Sequence, residues 1–302
     1  LLVTHRVLIG QRQSQKGHSI MRKLNILMIS TGLFSLPTSS GGGVERNVYE
    51  LTLGLAKMGH SITLVSDVGE GFGFPENVEV VVVHTPRLEW SAGFFGWIFN
   101  FLVALPFNVI AINRALNKRN YSFDLVHSHD LLSSLFILKK IKKRKIPFFY
   151  TNHSPIYNVN IYTGIKKLIR KIGYEYIGVF VWRNVDYLFV HGKALYDEIV
   201  NFFDVDERRV TLLYQGVNID KFTPNNYNLR TLESFGLNSN YCLFVGHLTK
   251  RKGTDYLMWA LKEVEVICAI VGDGPERKNM LDFAKKKRFI DRVIFTGILP
   301  SD

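Results

Sequence analysis

Residues 24–59 read LNILMISTGLFSLPTSSGGGVERNVYELTLGLAKMG. The opening seven, 24–30, form an apolar run of strand length, and a Ser/Gly-rich stretch follows. From Val44 onward the apolar positions Val44, Val48, Leu51, Leu55 and Met58 fall on one helical face. Gly59 stands where such a helix would close in a left-handed cap. A strand, a glycine loop and a helix in this order open a βαβ unit.

The same order repeats along the chain. Residues 61–66, 79–83, 123–127, 146–151, 185–190 and 210–214 read as strands, with helical stretches before or between most of them. Short strands apolar on both faces and separated by helices predict a parallel sheet covered on both sides. The series restarts after Pro224 and the polar residues 225–228. Strands are expected at 241–245, 264–271 and 292–295, and the chain closes at Asp302. The fold class is therefore α/β, with two Rossmann-like domains. A doubly wound domain usually has about six strands, so the second is expected to be incomplete. The domain reading is residues 1–20 as a non-native or disordered leader, 21–222 as an N-terminal Rossmann-like domain, and 223–302 as a partial C-terminal Rossmann-like domain. Met21 is the expected natural start.

Length and composition bound this reading. A chain of 302 residues suits about two domains. With 47% hydrophobic and 13% aromatic residues it has material for real cores, which excludes a disordered chain. A net charge of +12 calls for anionic partners. Cys242 and Cys268 each sit in an apolar strand and are expected to be buried free thiols. Residues 90–113 carry no charge, but Gly93, Gly96, Asn100, Pro106 and Asn108 interrupt the apolar run. A buried helix with an aromatic tip is expected there in place of a membrane span.

Three strand-end loops carry chemistry. Gly41-Gly42-Gly43 lets backbone approach a ligand, and the helix start at Val44 favours an anion. The spacing is not G-x-G-x-x-G, so the dinucleotide fingerprint does not apply. In the second half, Gly246-His247-Leu248-Thr249-Lys250-Arg251-Lys252-Gly253 offers flexible backbone and three consecutive cations beyond a parallel strand, as a diphosphate requires. Gly272-Asp273-Gly274-Pro275 repeats the geometry one strand later, with Pro275 expected in the first turn of a helix. Asp204-Val205-Asp206 resembles a metal-binding D-x-D, yet its place between helix and strand favours a turn or cap. His127 and His129 end a strand without a third metal ligand. The basic runs 139–145 and 285–288 read as solvated helix faces. No aromatic stacking platform lies beside them, which disfavours nucleic acid. An anionic membrane surface suits them better.

The ordered series resembles the retaining glycosyltransferases of family 4, which have the GT-B fold. The resemblance runs from about Met21 to the end. It rests on Gly42-Gly43-Val44-Glu45-Arg46, residues 123–129 (FDLVHSH), residues 150–154 (YTNHS), Val185-Asp186, Gly216-Val217-Asn218 and Phe222-Thr223-Pro224. It continues through residues 244–248 (FVGHL), Lys252-Gly253 and residues 271–275 (VGDGP).

The resemblance implies that His153 lines the cleft beside the transferred sugar as the catalytic residue. It implies that Gly42, Gly43, Gly246, His247, Arg251, Lys252 and Gly274 hold the donor, with Lys252 neutralising the departing diphosphate. No metal or other cofactor is expected, since the nucleotide sugar is a substrate. The implied partners are that donor, a glycan or lipid-linked acceptor and an anionic membrane surface. The expected location is cytoplasmic, on the inner face of the membrane, in cell-envelope polysaccharide synthesis.

Two departures from the family pattern stand out. His247 occupies a place usually held by arginine, with Arg251 available to supply the charge. The family's paired glutamates would fall after Asp302, so this chain is expected to be an inactive, truncated form of an active parent. The alternatives are a sugar-nucleotide epimerase of the same fold and a non-catalytic remnant.

Overall fold

Along the first strand, β1 (Asn25–Ile29), alternate side chains enter two different cores: Ile26 and Met28 one, Leu27 and Ile29 the other. A strand buried on both faces belongs inside a covered parallel sheet. In the computed structural model of the chain, β1 pairs in parallel with β2 (Ser61–Ser66) on one side and β4 (Leu125–Ser128) on the other. The remaining strands are β3 (Val78–Val82), β5 (Phe148–Asn152), β6 (Tyr187–Val190) and β7 (Val210–Leu212). The seven-stranded order is β3-β2-β1-β4-β5-β6-β7, parallel throughout. Strand order reverses between β1 and β4, and the carboxyl ends of strands at such a reversal form a ligand crevice. The structure describes residues 22–30, 35–36, 43–69, 73–83, 93–118, 122–153, 164–224, 228–237 and 240–299. The proposed leader and the polar residues 225–227 lie outside these.

Helices α1 (Gly43–Lys57), α2 (Gly93–Asn117), α3 (Leu131–Lys143), α4 (Gly164–Lys171), α5 (Val179–Asn184) and α6 (Lys193–Asp197) belong to the first half. Between α4 and α5 the chain runs through a π-helical segment, Ile172–Gly178. One core brings Ala111 and Ile112 of α2, Ile137 and Ile141 of α3, and Trp182 of α5 against Phe148 and Tyr150. The opposite core sets Val48 and Ala56 of α1 against Ile62, Leu64 and Phe149.

The buried face of α1 differs from the expected stripe. Glu45, Val48, Thr52 and Ala56 are buried, while Val44, Leu51, Leu55 and Met58 are half-buried. Small side chains at 52 and 56 let the helix approach the sheet closely, so the larger ones flank the contact. Gly59 takes φ 87°, the left-handed cap expected of it. Asp206 accepts from the Arg208 N–H and caps a short 3₁₀ turn, and Asp204 has φ 50°. The D-x-D motif is a turn.

The second sheet has the order β10-β9-β8, from β8 (Tyr241–Val245), β9 (Ile267–Val271) and β10 (Val293–Gly297), again parallel. After α7 (Leu229–Ser234), which precedes β8, come α8 (Thr254–Glu263) and α9 (Arg277–Lys286). These last two helices cover one face of the sheet through Met258, Leu261, Met280 and Ala284. The two sheets fit two Rossmann-like domains.

Two expectations are corrected here. Cys242 is exposed and only Cys268 is buried: β8 is an edge strand of its sheet, and its positions 242, 243 and 245 are all exposed. Burial pushes the Cys268 thiol up to about 11. Pro275 precedes the helix, which starts at Arg277. Residues 93–117 form one helix through Pro106, and Asn108, Ala111, Ile112, Ala115 and Leu116 are buried. The aromatic tip at 94–101 lies outside the described side chains. Among the described residues no helix is long and apolar enough to cross a membrane.

Candidate functional site

Three adjacent strands deliver histidines to the same edge of the large sheet. His127 lies inside the carboxyl end of β4 and His129 just beyond it; His153 and His191 each follow directly on β5 and β6. Parallel register places these ends side by side. The rings run in a row: His127 stacks on His129 with centroids 4.5 Å apart, His129 is 5.1 Å from His153, and His153 is 4.9 Å from His191. Sequence reading picked out His153, His127 and His129 but missed His191 and missed that the four form one group. The available signal was positional, since residues 150–153 (YTNH) and 189–191 (FVH) each place a histidine one step past a strand.

Hydrogen bonds fix the row. His127 Nε2 lies 2.7 Å from Thr151 Oγ1, and His129 Nδ1 lies 2.8 Å from His153 Nε2. His191 Nδ1 donates to the Leu213 carbonyl at 2.7 Å. His127 and His129 are buried; His153 is half-buried. Burial, reinforced by neighbouring histidines, lowers His127 and His153 to about 3 and holds His129 well below the ordinary imidazole value. At neutral pH His127, His129 and His153 are uncharged. Next to it, Asp130 caps α3 by accepting from the Ser133 N–H at 2.9 Å, and burial raises its carboxyl above the usual range. Among the described residues no group of three or more His, Cys, Asp or Glu side chains is arranged to hold a metal ion.

A second assembly lies at the carboxyl ends of β8 and β9. Gly246 and His247 follow β8, and Lys250–Lys252 form a 3₁₀ turn that Gly253, at φ 75°, closes into α8. His247, Lys250, Arg251 and Lys252 are exposed, and among the described residues none of the four makes an ion pair or side-chain hydrogen bond. The neighbouring loop holds this one in place. Gly246 N–H donates to Val271 O (3.0 Å), Leu248 N–H to Asp273 O (2.9 Å) and Glu276 N–H to Leu248 O (3.1 Å). A Cβ on Gly272 would meet Gly246 O at 2.1 Å, and one on Gly274 would meet Leu248 O at 2.5 Å. These two glycines are required by backbone packing. Three adjacent cations without partners, on a turn braced by backbone, form a site suited to a multiply charged anion.

The candidates of the sequence fall into these two groups. His153 belongs to the histidine row. Gly246, His247, Arg251, Lys252 and Gly274 belong to the paired loops of the small sheet. Gly43 is the exposed first residue of α1 with open space around its Cα. Gly42 lies outside the described residues.

Comparison with known proteins agrees with this architecture. The profile of Glycosyltransferase Family 4 matches residues 41–221, and that of Glycosyl transferases group 1 matches residues 230–302. An uncharacterized glycosyltransferase of Methanocaldococcus jannaschii is 23% identical over 290 residues, covering 91% of this chain and 70% of that protein. D-inositol 3-phosphate glycosyltransferase of Mycobacteroides abscessus is 25% identical over 293 residues; this chain spans 64% of its length. Among solved structures, sucrose-phosphate synthase from Thermosynechococcus elongatus superposes with TM-score 0.71 at 18% identity, covering 92% of this chain and 71% of that one. HepE of Anabaena, in complex with UDP and glucose, superposes with TM-score 0.60 at 15% identity, covering 91% and 70%. These superpositions establish the two-domain GT-B fold. With its first family profile covering more than half the sequence, the chain belongs to glycosyltransferase family 4.

Proposed function

We propose that the whole protein moves a sugar from a nucleoside-diphosphate donor to a glycan or lipid-linked acceptor, with retention of configuration. The observation that carries this reading is the braced cationic turn at Lys250–Lys252, held beside the Gly272–Gly274 loop and, among the described residues, without a side-chain partner. Departure of a nucleoside diphosphate builds negative charge, and fixed cations at that point lower the barrier. Gly246, His247, Arg251, Lys252 and Gly274 line the donor diphosphate in this reading, with Gly42 and Gly43 approaching from the first domain. His153, uncharged at the carboxyl edge of the large sheet, contacts the transferred sugar. The complex of HepE with UDP and glucose supports a nucleotide-sugar donor.

The test is titration of the chain with UDP, GDP and ADP, followed by sugar transfer by the whole protein. Lys252→Ala is expected to weaken binding of the preferred diphosphate by about 1.5–3 kcal/mol, the usual worth of a hydrogen bond to a charged group. His153→Ala is expected to slow transfer by about 10²–10³-fold while leaving diphosphate affinity unchanged. Wild-type affinity and rate in both variants would remove the assigned roles. Retained anomeric configuration in the product, read by NMR, separates transfer with retention from inversion, and a joined product separates it from epimerisation.

Peripheral contact with an anionic membrane, on the cytoplasmic face, belongs to the same proposal. Exposed Leu168, Ile172, Tyr176 and Phe180 recur every four residues along α4, the π segment and α5, and Phe136 is exposed on neighbouring α3. Exposed Lys139, Lys142 and Lys143 lie on the same helical layer. Each basic residue near an anionic surface contributes about 1 kcal/mol. Sedimentation with phosphatidylglycerol vesicles is expected for the wild type and is expected to fall at least tenfold for Ile172→Glu/Phe180→Glu. Equal sedimentation of the two proteins would refute this surface.

A further inference from the structure

Within the histidine row, one bond decides which proton His153 can offer. The separation of 2.8 Å between His129 Nδ1 and His153 Nε2 accompanies ring centroids 5.1 Å apart, the distance of an edge-to-edge approach through the two nitrogens. It is a true hydrogen bond, so one ring donates and the other accepts. Two arrangements of neutral rings satisfy it. If His153 donated, His129 would carry its proton on Nε2. That nitrogen is buried and, among the described residues, has no partner. A buried N–H without an acceptor is the rarest kind of orphan in native structures. If His129 donates from Nδ1, its buried Nε2 holds only a lone pair.

We infer that His129 is a positioning residue that donates from Nδ1 to His153 Nε2 and so fixes His153 as the Nδ1–H tautomer. His153 then presents a hydrogen-bond donor, and its ligand atom must be an acceptor oxygen. Its role as a general base through Nε2 is excluded by the bond it already makes. His127, stacked on His129 and anchored to Thr151, holds the donating ring in plane. The chemical consequence for the sugar rests on the transferase reading above; the tautomer does not.

Two-bond ¹H–¹⁵N correlation spectra of imidazole-labelled chain at neutral pH, without nucleotide or sugar, test this directly. His153 is expected to show a pyrrole-like Nδ1 and a pyridine-like Nε2. His129→Asn keeps an N–H at the position of Nδ1 and is expected to preserve the pattern. His129→Leu removes the donor and is expected to bring His153 to a mixture dominated by Nε2–H. A wild-type His153 protonated on Nε2 would overturn the inference, as would a pattern unchanged in His129→Leu. Because no substrate is present, failure here leaves sugar transfer untouched, and failure of transfer leaves the tautomer standing.

Discussion

Between pH 7 and pH 5 the chain is expected to lose about 4 kcal/mol of stability or more, read as a falling urea midpoint. The cause is the histidine row. His127 and His153 have folded-state values of about 3, and His129 lies well below its ordinary value. Unfolded histidines titrate near about 6.5. The unfolded chain therefore binds more protons than the folded one over this window, so stability rises with pH and falls on acidification. The contribution is complete above the unfolded value and drains as pH drops toward the folded one. His127 and His153 each lose about 2 kcal/mol by pH 5, and His129 adds a loss of the same sign.

Set against a total of about 5–15 kcal/mol for a domain, that loss is a large share. Asp130 acts in the opposite sense, since its raised carboxyl is more readily protonated in the folded state than in the unfolded one. His127→Gln removes one titrating ring while keeping a partner for Thr151, and it is expected to reduce the loss by about 2 kcal/mol. A urea midpoint that stays level from pH 7 to pH 5 would contradict the burial of this row.

Gly272→Ala is expected to destabilise the three-stranded half by about 3 kcal/mol or more, because a backbone clash and an unfavourable φ act together. The added Cβ would meet Gly246 O at 2.1 Å and Gly246 C at 3.0 Å, in a residue held at φ 126°. Neither neighbour is the tip of a flexible side chain, so relief requires the two loops to part. Parting them breaks the Gly246–Val271 and Leu248–Asp273 hydrogen bonds that brace the cationic turn. Diphosphate affinity should fall with stability. The control is Gly43→Ala, where nothing lies within 4 Å of the added atom; its stability should change by no more than about 0.5 kcal/mol. Thermal unfolding of the two variants decides the matter, and equal midpoints would show that the loops are not locked.

Sequence alone determined the α/β class and the position of nearly every strand. Strands apolar on both faces, such as 25–29, can be buried only within a covered parallel sheet, and the helices must then lie between them. It also marked Gly246, Lys252 and Gly274 as loop residues, because chemistry and glycine spacing are local properties. What it left open depended on packing across elements. The core face of α1 turned toward Thr52 and Ala56 because close approach to the sheet favours small side chains over the most apolar stripe. Cys242 became exposed because its strand lies at the edge of the second sheet.

The row of His127, His129, His153 and His191 spans residues far apart in the chain. Only the parallel register of β4, β5 and β6 brings these rings together and sets His129 Nδ1 2.8 Å from His153 Nε2. Sequence could name the imidazoles; the lowered proton affinity of His127, His129 and His153 was decided by burial, which no local pattern encodes.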